Sequence, residues 1–159
     1  MVSVKRAIPL YNLFMQQIMD LVQSGVTDGY QLASEGYFWG GNMYVVDKAM
    51  MMLLANDIEP SNILVDGAYE QLSYLLGKNS IHQSFITGYG VNSPKNIHHR
   101  IAESRNVLLK GALVGGPDDA IEVDLPPAKK YWDESHLYTT NEVAIYYNSP
   151  LVFVLSAYQ

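Results

Sequence analysis

The chain has 159 residues and carries 16 acidic against 10 basic side chains, a formal net charge of −6. The basic residues are scattered and form no basic stripe, so the composition excludes nucleic acid as a partner. Without cysteine, neither disulfides nor thiolate metal sites are available, and no apolar run approaches the ~18 residues of a membrane span. Charged residues make up only 16% of the chain against 48% hydrophobic ones, a balance expected of a segment that packs against further helices.

The first predicted element is an amphipathic helix from Ile8 to about Gly25. Its apolar residues recur at helical spacing: Ile8, Tyr11, Phe14, Met15, Ile18, Leu21 and Val22. Lys5 and Arg6, just before this run, resemble the positively charged start of a secretory signal peptide. However, Pro9 and Asn12 interrupt the run and no small-residue cleavage site follows, so we predict no signal peptide in this chain.

Two further helices are predicted after a glycine-punctuated aromatic loop over residues 26–41. Asn42 is a candidate N-cap for the second helix, which runs through Asn56. Its apolar residues, methionines among them, cover nearly every face, so we expect it to be buried on most sides. The third helix covers residues 62–76, with Gly77 where helices commonly turn left-handed.

Residues 78–138 form the next predicted region, a long loop that holds most of the glycines and prolines. So long a loop in a compact domain is usually functional. Residues 111–119 lack the Lys-Ser/Thr pair of a phosphate-binding loop and are predicted as a tight loop. A fourth helix from about residue 141 to 157 contains Pro150, which should kink it. The predicted fold is therefore all-α, with four helices that belong to a larger helical barrel.

Two carboxylates, Asp133 and Glu142, lie nine residues apart among tyrosines and a tryptophan. Aromatic faces stack on pyranose rings, and a carboxylic acid in such a site can protonate a glycosidic oxygen. Glu142 has an ordinary interpretation too, since acidic residues favour a first helical turn, where the dipole stabilises the ionised form. A general acid must hold its proton, so the catalytic interpretation requires burial and the charge of Asp133 to outweigh the dipole.

The second candidate group is the run His98, His99 and Arg100, which follows a glycine-containing loop. Adjacent histidines on an extended segment point in opposite directions, so they do not form a bidentate metal site. In one interpretation a histidine and Arg100 face a cleft and bind hydroxyl groups. In the other, this is a surface loop with incidental histidines.

Other side chains carry weaker signals. Tyr37, Trp39 and Tyr89 are candidate sugar platforms, although Trp39, next to a buried helix, is equally a candidate core residue. Four acidic residues are a weak candidate for a structural calcium site, because their spacing matches no EF-hand pattern. They are Asp118, Asp119, Glu122 and Asp124.

Two stretches resemble the paired active-site signatures of glycoside hydrolase family 9, the inverting cellulases. The first is matched by Ser84, Ile86, Thr87, Gly90, Asn92, Ile97, His98 and Arg100. The second is matched by Tyr131, Asp133, Tyr138, Glu142, Ala144, Asn148 and Ser149. Residues 38–42 also resemble the family's helix entry, with Gly41 in place of its serine, so the resemblance covers the chain from about residue 30.

The resemblance implies an (α/α)6 barrel whose cleft binds β-1,4-glucan and cleaves it with inversion, without a cofactor. By analogy Glu142 is the proton donor, Asp133 supports the site, and substrate is bound by His98, Arg100, Tyr138 and Tyr89. The family is mostly secreted, which implies an extracellular location.

One part of the family pattern is missing, namely the Asp-Ala-Gly-Asp motif that carries the general base. The nearest string, at residues 66–68, is out of order and inside a predicted helix. Because inversion needs a second carboxylate, we expect residues 1–159 to be a single segment, the C-terminal third of a catalytic domain, inactive alone. Its expected partner is the N-terminal part of the barrel or a second copy. The alternative is a non-catalytic helical fragment that binds oligosaccharide or serves in assembly.

Overall fold

Six α-helices and one 3-10 turn follow one another along the chain in the computed structural model, which describes residues 4–159 and side chains from residue 8 onward. The bounds are α1 Val4–Thr27, α2 Gly41–Ile58, α3 Asn62–Leu75, α4 Arg100–Ser104, α5 Tyr138–Asn141 and α6 Ile145–Ser156, with the 3-10 turn at Pro127–Lys129. Over these residues, β-structure is limited to isolated bridges. The all-α prediction is confirmed, with four longer helices as expected.

The centre of the fold is α2, which packs against α3, α6 and α1. Six apolar side chains of α2 are buried: Val45, Val46, Ala49, Met52, Leu53 and Ala55. The predicted burial on most sides is therefore confirmed, although Tyr44 remains 48% exposed. Since α2 presents apolar residues in nearly every direction, three neighbouring helices can each bury a different part of it.

The first helix is longer than predicted and only partly covered. It extends beyond both predicted ends, and Ile18 and Val22 bury their side chains against the core. Apolar residues on its other side are more than half exposed, among them Ile8, Leu10, Leu13 and Val26. No helix within residues 4–159 combines the length and hydropathy of a membrane span.

Asn42 does not cap α2, so that prediction is wrong. The cap position is Gly40, with φ 76° and ψ 12°, and Asn42 lies inside the first turn. Its buried Nδ2 instead donates to the carbonyl of Val114 at 3.0 Å. A Cβ added to Gly116 would lie 2.4 Å from the same Nδ2, and Gly116 has φ +91°, so only glycine fits there. Asn42 therefore serves to bond the first turn of α2 to the segment of Val114, and not to cap the helix.

The fourth long helix begins later than predicted. The short α5 ends at Asn141, residues 142–144 are extended, and α6 starts at Ile145 with Pro150 inside it. The extended residues pair with other segments: the amide of His98 donates to Asn141 O at 2.8 Å, and that of Gly115 to Glu142 O at 3.1 Å. Because the carbonyls of Asn141 and Glu142 already accept hydrogen bonds from distant segments, extending α6 backwards through these residues would add no hydrogen bond to them.

The long region after α3 is more ordered than a loop. Two of its segments cross the core side by side: Val114 N donates to Phe85 O, and Thr87 N to Ala112 O, each at 3.0 Å. The side chains of Phe85 and Val114 are fully buried. The prediction of a tight loop at residues 111–119 is therefore wrong, since residues 113–118 form a buried segment without helical turns. Gly77 does adopt a positive φ, 125°, as predicted.

Candidate active site

Glu142 lies in the extended connection between α5 and α6, with a half-buried side chain. Its amide donates to Tyr138 O at 2.9 Å and its carbonyl accepts from Gly115 N at 3.1 Å. The predicted place in a first helical turn is wrong, because α6 begins only at Ile145. Side-chain donors, rather than the free amides of a helix terminus, therefore surround its carboxyl group.

The principal donor to this carboxyl group is Trp39. Its indole Nε1–H donates to Glu142 Oε2 at 3.0 Å, while the ring stays half exposed. The Tyr138 ring and the indole pack edge to face, with centroids 5.2 Å apart and ring planes at 68°. Trp39 was predicted as either a sugar platform or a core residue, and its half-exposed ring is not a core position. Its bond to Glu142 was not predicted, and no local pattern links residues 103 positions apart.

Tyr147, in the first turn of α6, is the second neighbour of this carboxyl group. Its hydroxyl lies 3.5 Å from Glu142 Oε2. Burial, and next the charge of Glu142, raise the pKa of Tyr147 well above its ordinary value, so the hydroxyl keeps its proton. A Cβ on Gly40 would lie 2.7 Å from this hydroxyl, so glycine leaves the room that Tyr147 occupies.

His98 lies beside Glu142 in a short parallel bridge. Its Nδ1 is 2.7 Å from Ser135 O, and because a carbonyl only accepts, Nδ1 carries the hydrogen and Nε2 is left for another partner. The ring centroid is 5.9 Å from that of Tyr138. His99 has a different role, since its Nδ1 accepts from Ala102 N at 3.1 Å and caps α4. The two histidines thus diverge, as predicted.

We use the name Glu142 cluster for Trp39, His98, Tyr138, Glu142 and Tyr147. The structure brings these five residues together from the α2 entry, the segment before α4, and the α5–α6 region. The cluster places one carboxyl group beside an indole, an imidazole and two phenol rings. Such a set can donate a proton and offers aromatic surface to a sugar.

Arg100 and Tyr89 lie outside these contacts. Arg100 begins α4 and is exposed, and within the described side chains its guanidinium makes no hydrogen bond or ion pair. Tyr89 is 59% exposed, and no hydrogen bond or ring contact in residues 8–159 joins it to the Glu142 cluster. Both remain predictions as substrate-binding residues.

Asp133 binds backbone amides. Its Oδ2 accepts from Lys95 N at 2.8 Å and its Oδ1 from Asn96 N at 2.9 Å, while Asn96 Nδ2 donates to Asp133 O at 2.9 Å. These bonds hold the chain just before His98. Among the described residues, no hydrogen bond joins Asp133 to Glu142, and its predicted influence on that carboxyl group stays a prediction.

A buried hydrogen-bond pair connects the Asp133 segment to α5. Tyr131 OH donates to Asn141 Oδ1 at 2.7 Å, and Asn141 Nδ2 donates to Trp132 O at 2.8 Å. Burial raises the pKa of Tyr131, which therefore stays a donor. Asn141, the last residue of α5, thereby holds the chain before Glu142 against the segment that carries Asp133.

The acidic residues proposed for calcium do not converge. Asp118 Oδ1 accepts from Ala120 N at 3.0 Å, and Asp119 Oδ1 accepts from Lys130 Nζ at 2.8 Å. Among the residues that the structure describes, no three His, Asp or Glu side chains are grouped to hold a metal ion. Tyr37, the remaining platform candidate, is half-buried beside the core, and burial raises its pKa.

The chain matches a known protein family over nearly its whole length. The sequence model described as "Glycosyl hydrolase family 9" matches residues 4–155. The chain belongs to glycosyl hydrolase family 9. One family 9 relative is Endoglucanase D of Acetivibrio thermocellus, 33% identical over 141 residues, which cover 87% of this chain and 21% of that protein.

Solved family 9 structures share its fold. The crystal structure of the GH family 9 endoglucanase J30 aligns with a TM-score of 0.94 at 31% identity, covering 99% of this chain and 32% of that one. The structure of AaCel9A in complex with cellobiose-like isofagomine aligns with a TM-score of 0.89 at 28% identity, covering 99% and 32%. The chain is therefore part of an (α/α)6 barrel, as predicted, and spans a third or less of these relatives.

Proposed function

We propose that this chain supplies the acid side of a family 9 cleft that hydrolyses β-1,4-glucosidic bonds with inversion. The observation that carries the proposal is the half-buried carboxyl group of Glu142, held by Trp39 on the same surface as His98 and Tyr138. A carboxyl group flanked by aromatic rings suits protonation of a leaving sugar oxygen. The complex of AaCel9A with cellobiose-like isofagomine supports a glucan substrate.

In this mechanism protonated Glu142 transfers its proton to the glycosidic oxygen while the bond from that oxygen to the anomeric carbon breaks. Glu142 is left as a carboxylate. Water adds to the anomeric carbon from the opposite face and loses a proton to a second carboxylate, which inverts the configuration. We assign that second role to a carboxylate other than Asp133, whose hydrogen bonds hold the chain before His98 on the acid's side of the site. The reaction runs on two carboxylates and needs no cofactor.

Substrate binding falls to residues around the Glu142 cluster. His98 has Nε2 free for a hydroxyl, since Nδ1 is bound to Ser135. Tyr138 is 47% exposed and offers a ring face. Arg100, two residues after His98 in the chain, is exposed and adds guanidinium donors. Asp133 acts by holding the chain before His98. Tyr89 extends the aromatic surface farther along the cleft.

The base, we propose, lies in an N-terminal part of the catalytic domain, of which this chain is the C-terminal third. An open groove of about 450 Å³ borders α6 and includes the apolar side chains of Ile145 and Val152. Ile145 is 90% exposed and Val152 67%, and burying them against further helices would remove apolar surface from water. An extracellular location follows the family and belongs to the same proposal.

The decisive experiment measures reducing sugar released from amorphous cellulose. The chain alone is expected to release none. Joined to the N-terminal two thirds of a family 9 domain, it should gain activity that Glu142→Gln abolishes. Glu134→Gln, a change at an exposed acidic residue nearby, is the matched control and should leave activity intact. Release by the chain alone that disappears in Glu142→Gln would refute the assignment of the base to another segment.

A second candidate function is oligosaccharide binding without catalysis, favoured by the half-exposed rings of Trp39 and Tyr138. Titration of the isolated chain with cellotetraose tests it. Saturable binding that weakens in His98→Ala and Arg100→Ala supports a retained cleft. Absence of binding together with self-association favours an assembly segment.

A further inference from the structure

We propose that Trp39 is the positioning residue of Glu142: its indole N–H holds Oε2 as an acceptor, so that the transferable proton resides on Oε1. This inference rests on the proposed function, since it specifies how the acid presents its proton. The supporting contact is the 3.0 Å hydrogen bond from Trp39 Nε1 to Glu142 Oε2.

The chemistry of the indole decides which oxygen is protonated. An indole nitrogen donates and cannot accept, whereas a carboxyl oxygen that carries a proton becomes a donor itself. A proton on Oε2 in the direction of Trp39 would set two hydrogens against each other. The hydroxyl of Tyr147 approaches the same oxygen, at 3.5 Å. Both neighbours therefore favour Oε2 as the acceptor, which leaves Oε1 to carry the proton.

The backbone fixes the separation of the two side chains. The amide of Asn42 donates to Gly115 O at 3.0 Å, and the amide of Gly115 donates to Glu142 O at 3.1 Å. Gly115 thus connects the first turn of α2, just after Trp39, to the backbone of Glu142. The Tyr138 ring, whose centroid lies 5.2 Å from that of the indole, restrains the indole ring itself. The hydrogen bond is therefore built into the fold, although the indole is half exposed.

Nuclear magnetic resonance of the 159-residue chain tests the bond without any sugar. The chain has two tryptophans, so the spectrum contains two indole N–H signals, and Trp39→Phe assigns one of them. We expect the Trp39 signal to move in Glu142→Gln, because an amide group and a carboxyl group differ in strength as hydrogen-bond acceptors. The Trp132 signal should stay in place, and Glu134→Gln should move neither. An identical Trp39 signal with and without Glu142→Gln would overturn the proposal.

Kinetics of the chain joined to the N-terminal part of a family 9 domain separate positioning from sugar stacking. Trp39→Phe keeps an aromatic ring but removes the donor, so kcat should fall by about tenfold with little change in KM. A raised KM with unchanged kcat would make Trp39 a sugar platform only and overturn the proposal. If the joined enzyme with Trp39 and Glu142 intact has no activity, the proposed function fails, while the resonance experiment still decides the hydrogen bond.

Discussion

The indole nitrogen of Trp39 lies 3.0 Å from Oε2 of Glu142, although 103 residues separate the two in the chain. The approach depends on Gly115, whose carbonyl accepts from Asn42 N and whose amide donates to Glu142 O. Residues before α2 and residues before α6 are thereby held on one surface. The surroundings of the candidate acid are consequently determined by the tertiary fold as well as by the sequence around Glu142.

Gly40→Ala should destabilise the chain and disturb Tyr147. The substituted residue would have to keep φ 76°, which costs about 1–2 kcal/mol, and its Cβ would lie 2.7 Å from the Tyr147 hydroxyl. Urea unfolding should show a loss of at least this size. Gly41→Ala is the matched control, because nothing lies within 4 Å of its Cβ, and it should not destabilise. Equal stability of the two variants would contradict the described turn.

Asp133→Ala should loosen the chain before His98. The change removes both carboxylate acceptors of the amides of Lys95 and Asn96, and bonds to a charged group contribute about 1.5–3 kcal/mol. We expect faster hydrogen exchange at those two amides and a lower free energy of unfolding. Asp57→Ala, at an exposed position near the end of α2, is the control and should alter neither. Unchanged exchange in Asp133→Ala would rule out the anchoring role.

Tyr158 should contribute stability that is lost in alkali. Burial, followed by the charge of Asp66, raises the pKa of Tyr158 to about 12, and its hydroxyl donates to Val65 O at 2.9 Å. A raised folded-state pKa means that the contribution is complete below the ordinary value of 10 and declines as pH rises through about 12. The stability difference between the unsubstituted chain and Tyr158→Phe should shrink across this range. A difference that is constant with pH would be evidence against it.

The isolated chain should self-associate through the exposed side of α6. Ile145 and Val152 border the open groove and are largely uncovered. Replacing both by serine should lower the association measured by sedimentation velocity. Val123→Ser, at an exposed apolar residue that does not line this groove, serves as the control and should leave association unchanged. Equal association of the double variant would place the contact elsewhere, for example on the uncovered side of α1.

Local sequence predicted most of the helices because helical periodicity depends on neighbours along the chain. The bounds of α2 and α3 agree with prediction to within two residues. Gly77, just after α3, has the expected positive φ. The start of α6 was predicted too early, since nothing local indicates that residues 142–144 pair with His98 and Val114. Backbone partners from distant segments outweighed local helix propensity there.

The sequence by itself determined the helical class, the family and the residue types available for chemistry, because periodicity and motif spacing are properties of the linear chain. Only the tertiary structure decided that Trp39 donates to Glu142, that Asp133 binds loop amides, and that His98 lies beside the acid. The physical reason is that hydrogen-bond partners far apart in sequence are selected by packing, which brings specific donors and acceptors within about 3 Å of one another.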